Sequence, residues 1–117
     1  MKERGIKDVD GKVRYELVPP ESLLEVARIY TYGAFKYGDA NIDKGIPVAE
    51  CIAAIERHTA RMKMGQDISP HWGTHEAAHI AFWCFTLISQ YYRNVEVDDT
   101  RKDRKLDQEK LGWFLES

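Results

Sequence analysis

The sequence holds no apolar run approaching the ~18 residues a membrane-spanning helix needs, and no basic-then-apolar leader opens it. A cytoplasmic protein without membrane contact is therefore expected. Cysteine is scarce: Cys51 and Cys84 fall in apolar, helical-looking segments and neither has a CxxC partner. That excludes a disulfide framework and suits buried thiols in a reducing compartment. Excess positive charge is missing too. A formal net charge of −2 gives no reason to expect a nucleic-acid polymer as partner, which a basic face would attract. No stretch alternates apolar and polar residues convincingly, so strands are not expected, and there are neither internal repeats nor low-complexity tracts.

What remains is an ordinary globular composition in 117 residues, 44% hydrophobic and 31% charged, which suits one domain with a modest core. Residues 1–18 read as a charged, glycine-interrupted arm, with a short extended piece at Val13 to Leu17. Residues 19–93 form a helical core and residues 94–117 a tail. Pro19-Pro20 pre-sets the backbone for a first helix. Its apolar stripe is Leu23, Ala27, Tyr30, Ala34 and Tyr37, and Gly38 ends it. Pro47 opens a second helix from about Val48 to Met64, with Ile52, Ile55, Thr59 and Met62 on one stripe and Gly65 as the stop.

A third helix runs from Thr74, its expected N-cap, to about Arg93. After His79 it is apolar nearly all round, as a central helix packed by its own chain or another subunit would be. Arg101 to Leu111 reads as a short charged helix, and Gly112-Trp113-Phe114-Leu115 as an apolar hook that docks on the core or a partner subunit. The fold class is all-α: an antiparallel bundle of three main helices plus a short C-terminal helix.

All four histidines, His58, His71, His75 and His79, fall within the two central helices and their connection. Glu76 and His79 lie one turn apart on one helix face. If the two helices pack antiparallel, Glu76, His79, His58 and the loop residue Asp67 converge. Carboxylates with imidazole suit a divalent ion, Mg²⁺, Mn²⁺ or Co²⁺, with Zn²⁺ ranked behind them. Taken singly, each has a plainer role as a core, helix-dipole or turn residue; their co-occurrence carries the idea.

The string His75-Glu76-Ala77-Ala78-His79 also matches the HExxH pattern of zinc peptidases. The reading fails on its demands. No strand precedes the motif to align a peptide, and Phe82 and Phe85 stand where further ligand positions would be needed. Earlier in the chain, Tyr30 to Asn41 gathers tyrosines, two glycines, Lys36 and Asn41 at a helix end. Lysine beside glycine can meet a phosphate, and tyrosine faces can take a base. The plainer reading is an amphipathic helix end with a solvated lysine.

The runs GKVRYELVPPESLLEVARIYTYGAFKYGDANIDKG, AIERHTARMKMGQDISP and THEAAHIAFW together resemble the phage-encoded dATP/dGTP diphosphohydrolases, small all-α enzymes related to the MazG-like nucleoside triphosphate pyrophosphohydrolases. The similarity spans about Lys12 to Tyr92. Its most specific pieces are Leu17-Val18-Pro19-Pro20, the block from Gly33 to Asn41, the Arg57-His58 pair, and Gly65 with Asp67.

The resemblance implies hydrolysis of dGTP or dATP to the monophosphate and pyrophosphate, with divalent ions, by a MazG-like homodimer or homotetramer. It places Lys36, Tyr37, Asn41, Arg57 and Tyr32 in the nucleotide and phosphate region. Glu76, His79, His58 and Asp67 fall in the catalytic and metal region, with Glu56 as a reserve ligand. Water deprotonated by the metal and a carboxylate such as Glu76 would attack the α-phosphorus, with Lys36 and Arg57 steadying the leaving pyrophosphate. This chain departs from the family pattern at Gln66, at Ile42 and at Glu76, where an acidic residue, tryptophan and histidine are usual. The competing readings are an HD-type phosphohydrolase using His58, His75 and Glu76, and a non-catalytic helical module binding a nucleotide or protein. The absence of a histidine followed directly by aspartate weighs against the first.

Overall fold

A computed structural model of the chain describes residues 3–8, 10–104, 107, 109, 110 and 112. Three α-helices dominate: α1 (Pro20–Tyr37), α2 (Val48–Lys63) and α3 (Glu76–Tyr92). Among the described residues there is no strand, only an isolated bridge between Ile68 and His75. The all-α reading therefore holds. No described helix is long and apolar enough to cross a membrane.

The helix boundaries follow local chemistry. Pro20 occupies the first turn of α1, where its missing N–H has no partner to lose. Gly38 closes the helix at φ 89°, a conformation that suits glycine. Gly65, at φ 92°, likewise lets the chain leave α2. At α3 the expected cap was one residue off. His75, not Thr74, is the N-cap, and its Nδ1 accepts the Ala77 N–H at 2.9 Å. Thr74 is drawn inward instead, because its hydroxyl has a buried partner described below.

α3 is the helix on which both others pack; α1 and α2 scarcely touch. Val26 and Ile29 of α1 bury against Ala78 and Phe82 of α3, and the Tyr30 and Phe82 rings meet at 4.6 Å. The stripe expected on α1 is thus rotated. Leu23 is 50% exposed and Tyr37 60%, while Val26 and Ile29 are buried. Apolar residues on α1 spread over more than one face, so periodicity alone allowed two registers and contact with α3 selected one. On α2 the fully buried positions are the small Cys51 and Ala54. Ile52, Ile55, Thr59 and Met62 are half-buried.

α2 and α3 run antiparallel, pinned at both ends. The Gln90 side chain accepts the Ile46 N–H at 3.1 Å and donates to the Ile46 carbonyl at 2.9 Å. At the other end, His58 and Arg61 of α2 meet Glu76, the first residue of α3. Beyond α3 the chain turns back through Asn94, at φ 53°, and lays Val95 and Val97 over Gly45. The expected extended piece near Val13 is a 3-10 turn at Tyr15–Leu17. The expected helix at Arg101 begins as a 3-10 turn, Thr100–Asp103. The rest of that helix is only partly described, and Trp113 to Leu115 of the hook lie outside the described residues.

Candidate functional site

Because α1 and α2 lean on α3 without closing on each other, a cleft of about 780 Å³ opens between them. That is within the usual size of small-molecule sites, roughly 300–1,000 Å³. One wall is α1 with Tyr30, Gly33 and Tyr37; the other is α2 with Arg57, His58 and Arg61; the floor is α3 with Glu76, His79 and Phe82. The α2–α3 connection closes one end. It is a tight hairpin in which Glu76 N–H donates to the Asp67 carbonyl at 2.7 Å and Ser69 N–H to the Thr74 carbonyl at 2.9 Å. It carries Pro70, His71 and Trp72 into the lining.

Glu76 is the centre of this arrangement. Its carboxylate is 1% exposed, and a buried carboxylate must be paired to persist as an anion. His58 Nδ1 lies 3.3 Å from its Oε2 and Arg61 Nη1 lies 3.8 Å from the same atom. His79 packs beside them, its Nε2 2.8 Å from the Thr74 hydroxyl, both side chains buried. Burial, with His58 and Arg61 nearby, pushes the His79 imidazole below its ordinary pKa, partly offset by Glu76. Its surroundings thus favour the neutral ring.

The convergence read from the sequence is met in part. Glu76, His58 and His79 come together, and Tyr37, Asn41 and Arg57 line the same cleft. Lys36 does not line it; its ammonium stands 5.1 Å from the centre of the Tyr37 ring. Tyr32 is outside as well, packed against Trp72 at 5.3 Å. The Asp67 side chain is exposed and only its carbonyl reaches Glu76, while Glu56 is exposed on α2 away from the lining. His75 is committed to capping α3, so neither the peptidase pattern nor the HD-type set finds its second histidine in the cleft.

The described residues do not fit a resident metal ion. Among them, no group of three or more His, Cys, Asp or Glu side chains is placed to hold one. The reason is geometric. The His58 and His79 rings are stacked, 4.6 Å apart and within 15° of parallel. Their nitrogen lone pairs lie in separate parallel planes and cannot both point at one ion about 2 Å away. Arg61 already supplies positive charge beside the carboxylate.

The sequence places Arg61 about one turn after Arg57 and His58 on the second helix, but that spacing alone gave it no role in the site. Sequence reasoning also missed Ser69, Trp72 and Trp83 in the lining, since nothing local says that the hairpin folds over the cleft. The role of Thr74 was hidden by its resemblance to a cap.

A family model described as dATP/dGTP diphosphohydrolase, N-terminal, matches residues 2–100. A dATP/dGTP diphosphohydrolase of Salmonella phage PMBT28 is 36% identical over 77 residues, covering 66% of this chain. The match spans only 26% of that relative's length. No solved structure matches the chain.

Proposed function

The chain belongs to the dATP/dGTP diphosphohydrolase family, and on that premise we propose that it hydrolyses dATP or dGTP to the monophosphate and pyrophosphate. The observation that carries this reading is a cleft with two chemically distinct sides around one buried carboxylate. Tyr30, Tyr37, Trp72 and Trp83 offer aromatic faces for a base, and Arg57 and Arg61 offer guanidinium forks for phosphate oxygens. A divalent ion reaches such a cleft as part of the substrate, carried on the triphosphate.

Water attacks the α-phosphorus, the bond from that phosphorus to the bridging oxygen breaks, and pyrophosphate leaves with the electron pair. Glu76 receives the proton from the attacking water. Its place on the cleft floor keeps it out of bulk solvent, and His58 orients it. Arg57 steadies the charge that develops on the departing pyrophosphate.

The same reading takes the molecule as a homodimer or homotetramer. Phe85 and Ile88, one turn apart on α3, are 43% and 56% exposed, and Phe35 on α1 is 85% exposed. Exposed apolar side chains of this size favour burial against a second copy.

The test is product analysis after incubating the 117-residue chain with each dNTP and Mg²⁺, Mn²⁺ or Co²⁺. Equimolar monophosphate and pyrophosphate from purine nucleotides is the expected result. Release of triphosphate or orthophosphate, or no turnover under any of these conditions, would overturn the reading.

A further inference from the structure

Three side chains compete for one contact in the cleft. Arg61 Nη1 lies 3.2 Å from His58 Nδ1, and that same nitrogen lies 3.3 Å from Glu76 Oε2. A guanidinium has no lone pair, so Arg61 bonds His58 only when Nδ1 accepts. His58 bonds an ionised Glu76 only when Nδ1 donates. Both bonds cannot hold at once, so when Nδ1 donates to Glu76 the Arg61 guanidinium keeps only its longer 3.8 Å contact with the same carboxylate oxygen.

The three groups also differ in freedom. The Glu76 side chain is 1% exposed and that of His58 16%, whereas 44% of the Arg61 side chain is in solvent. Arg61 reaches in from the last turn of α2, on the same wall as Arg57. Ion pairs with one solvated partner are weak and easily exchanged, and a guanidinium fork matches phosphate oxygens in pairs.

We propose that Arg61 is an exchangeable counter-ion. In the free protein it neutralises the buried Glu76; when a polyphosphate enters the cleft it turns onto the phosphate oxygens and leaves His58 alone on the carboxylate. This rests on the polyphosphate reading of the cleft. It makes Arg61 a binding residue whose affinity is held down by its own partner, because the anion must first compete with Glu76.

The experiment is calorimetric titration of inorganic tripolyphosphate, with chelator present, into the wild type, Arg61→Gln, Glu76→Gln and the double variant. Arg61→Gln is expected to weaken binding by ~10- to 100-fold, the usual effect of losing a charge-assisted hydrogen bond. Glu76→Gln is expected to tighten it by several-fold, and that gain is expected to vanish in the double variant. A gain that persists without Arg61 means that Glu76 acts by simple charge repulsion, and overturns the exchange. Unchanged affinity in Arg61→Gln overturns it as well, while leaving the cleft a polyphosphate site.

No binding to the wild type, either in chelator or with Mg²⁺ in its place, overturns both the exchange and the polyphosphate reading. In the wild type itself, the Arg61 side-chain N–H signal in NMR is expected to shift when tripolyphosphate is added. A stationary signal against confirmed binding overturns the exchange even if the Glu76→Gln chain does not fold.

Discussion

The Thr74 hydroxyl stands 2.8 Å from His79 Nε2, and Thr74 is fully shielded from solvent. This contact joins the hairpin at the end of the cleft to the second turn of α3. It fixes the plane of the imidazole that forms part of the cleft floor. Thr74→Val keeps the shape and removes the partner, leaving a buried ring nitrogen unsatisfied. The expected loss is about 1–3 kcal/mol of stability. Thr74→Ser should give back most of it, less the lost methyl, worth about 1 kcal/mol. Urea unfolding of both variants checks this, and equal losses would show that the hydroxyl does not matter.

The position of His79 also sets a pH dependence. Burial, reinforced by His58 and Arg61 and opposed by Glu76 and Glu25, lowers its folded-state pKa. The unfolded chain therefore binds the proton more readily. Stability from this site is fully present above the unfolded pKa of about 6.5 and is lost as pH falls from there through the lower folded value. Chemical unfolding in chelator between pH 8 and pH 5 should show this acid sensitivity, and His79→Gln should reduce it. An unchanged slope in the variant would assign the sensitivity elsewhere.

Gln90 does more than fill space at the far end of α3. Its amide meets both the N–H and the carbonyl of Ile46, at 3.1 and 2.9 Å. Gln90→Leu should strand both backbone groups and lower stability by about 2–4 kcal/mol. Differential scanning calorimetry would register this as a drop of several degrees in Tm, whereas Gln90→Glu, which retains only the acceptor, should fall between.

Gly45 combines two requirements. It holds φ at 92°, and a Cβ there would lie 2.6 Å from a Val95 methyl and 2.7 Å from a Val97 methyl. Valine is stiff at its first torsion, so neither neighbour can turn away cheaply. Gly45→Ala should lower stability by at least about 1 kcal/mol and loosen the segment at Val95 to Val97, seen as faster proteolysis after α3. Gly5→Ala, with nothing near its Cβ position, should be silent.

Two carboxylates lie in different places, Glu76 in the cleft lining and Glu56 on the exposed surface of α2. Glu76→Gln should lower dGTP or dATP turnover by about 100-fold or more, as loss of one well-placed electrostatic group does. Glu56→Gln, at an exposed position away from the lining, should stay within about twofold, the usual range for a surface substitution. Comparable losses from both would restore Glu56 to the site.

Much of this molecule was determined by short-range chemistry. Pro19-Pro20, Gly38, Pro47 and Gly65 mark helix ends because each acts on its own backbone torsions, so α1 and α2 were legible to within a residue or two. The all-round apolar surface of α3 likewise announced a central helix, and α1 and α2 do pack on it. The pairing of Glu76 with His58 followed from the short connection, which obliges the end of α2 to meet the start of α3.

Tertiary packing decided the rest. Which stripe of α1 turns inward depended on its fit to Ala78 and Phe82, since the spacing alone allows either. His75 took the cap expected of Thr74 because a buried imidazole competed for the Thr74 hydroxyl, a contact five residues away along the chain that no capping rule contains. The inward turn of Arg61, and the outward turn of Glu56 and of the Asp67 carboxylate, arise from the rotation of α2 about its own axis and the path of the hairpin. Those are set by the whole interface with α3, where the small Cys51 and Ala54 are buried, and not by any local string of residues.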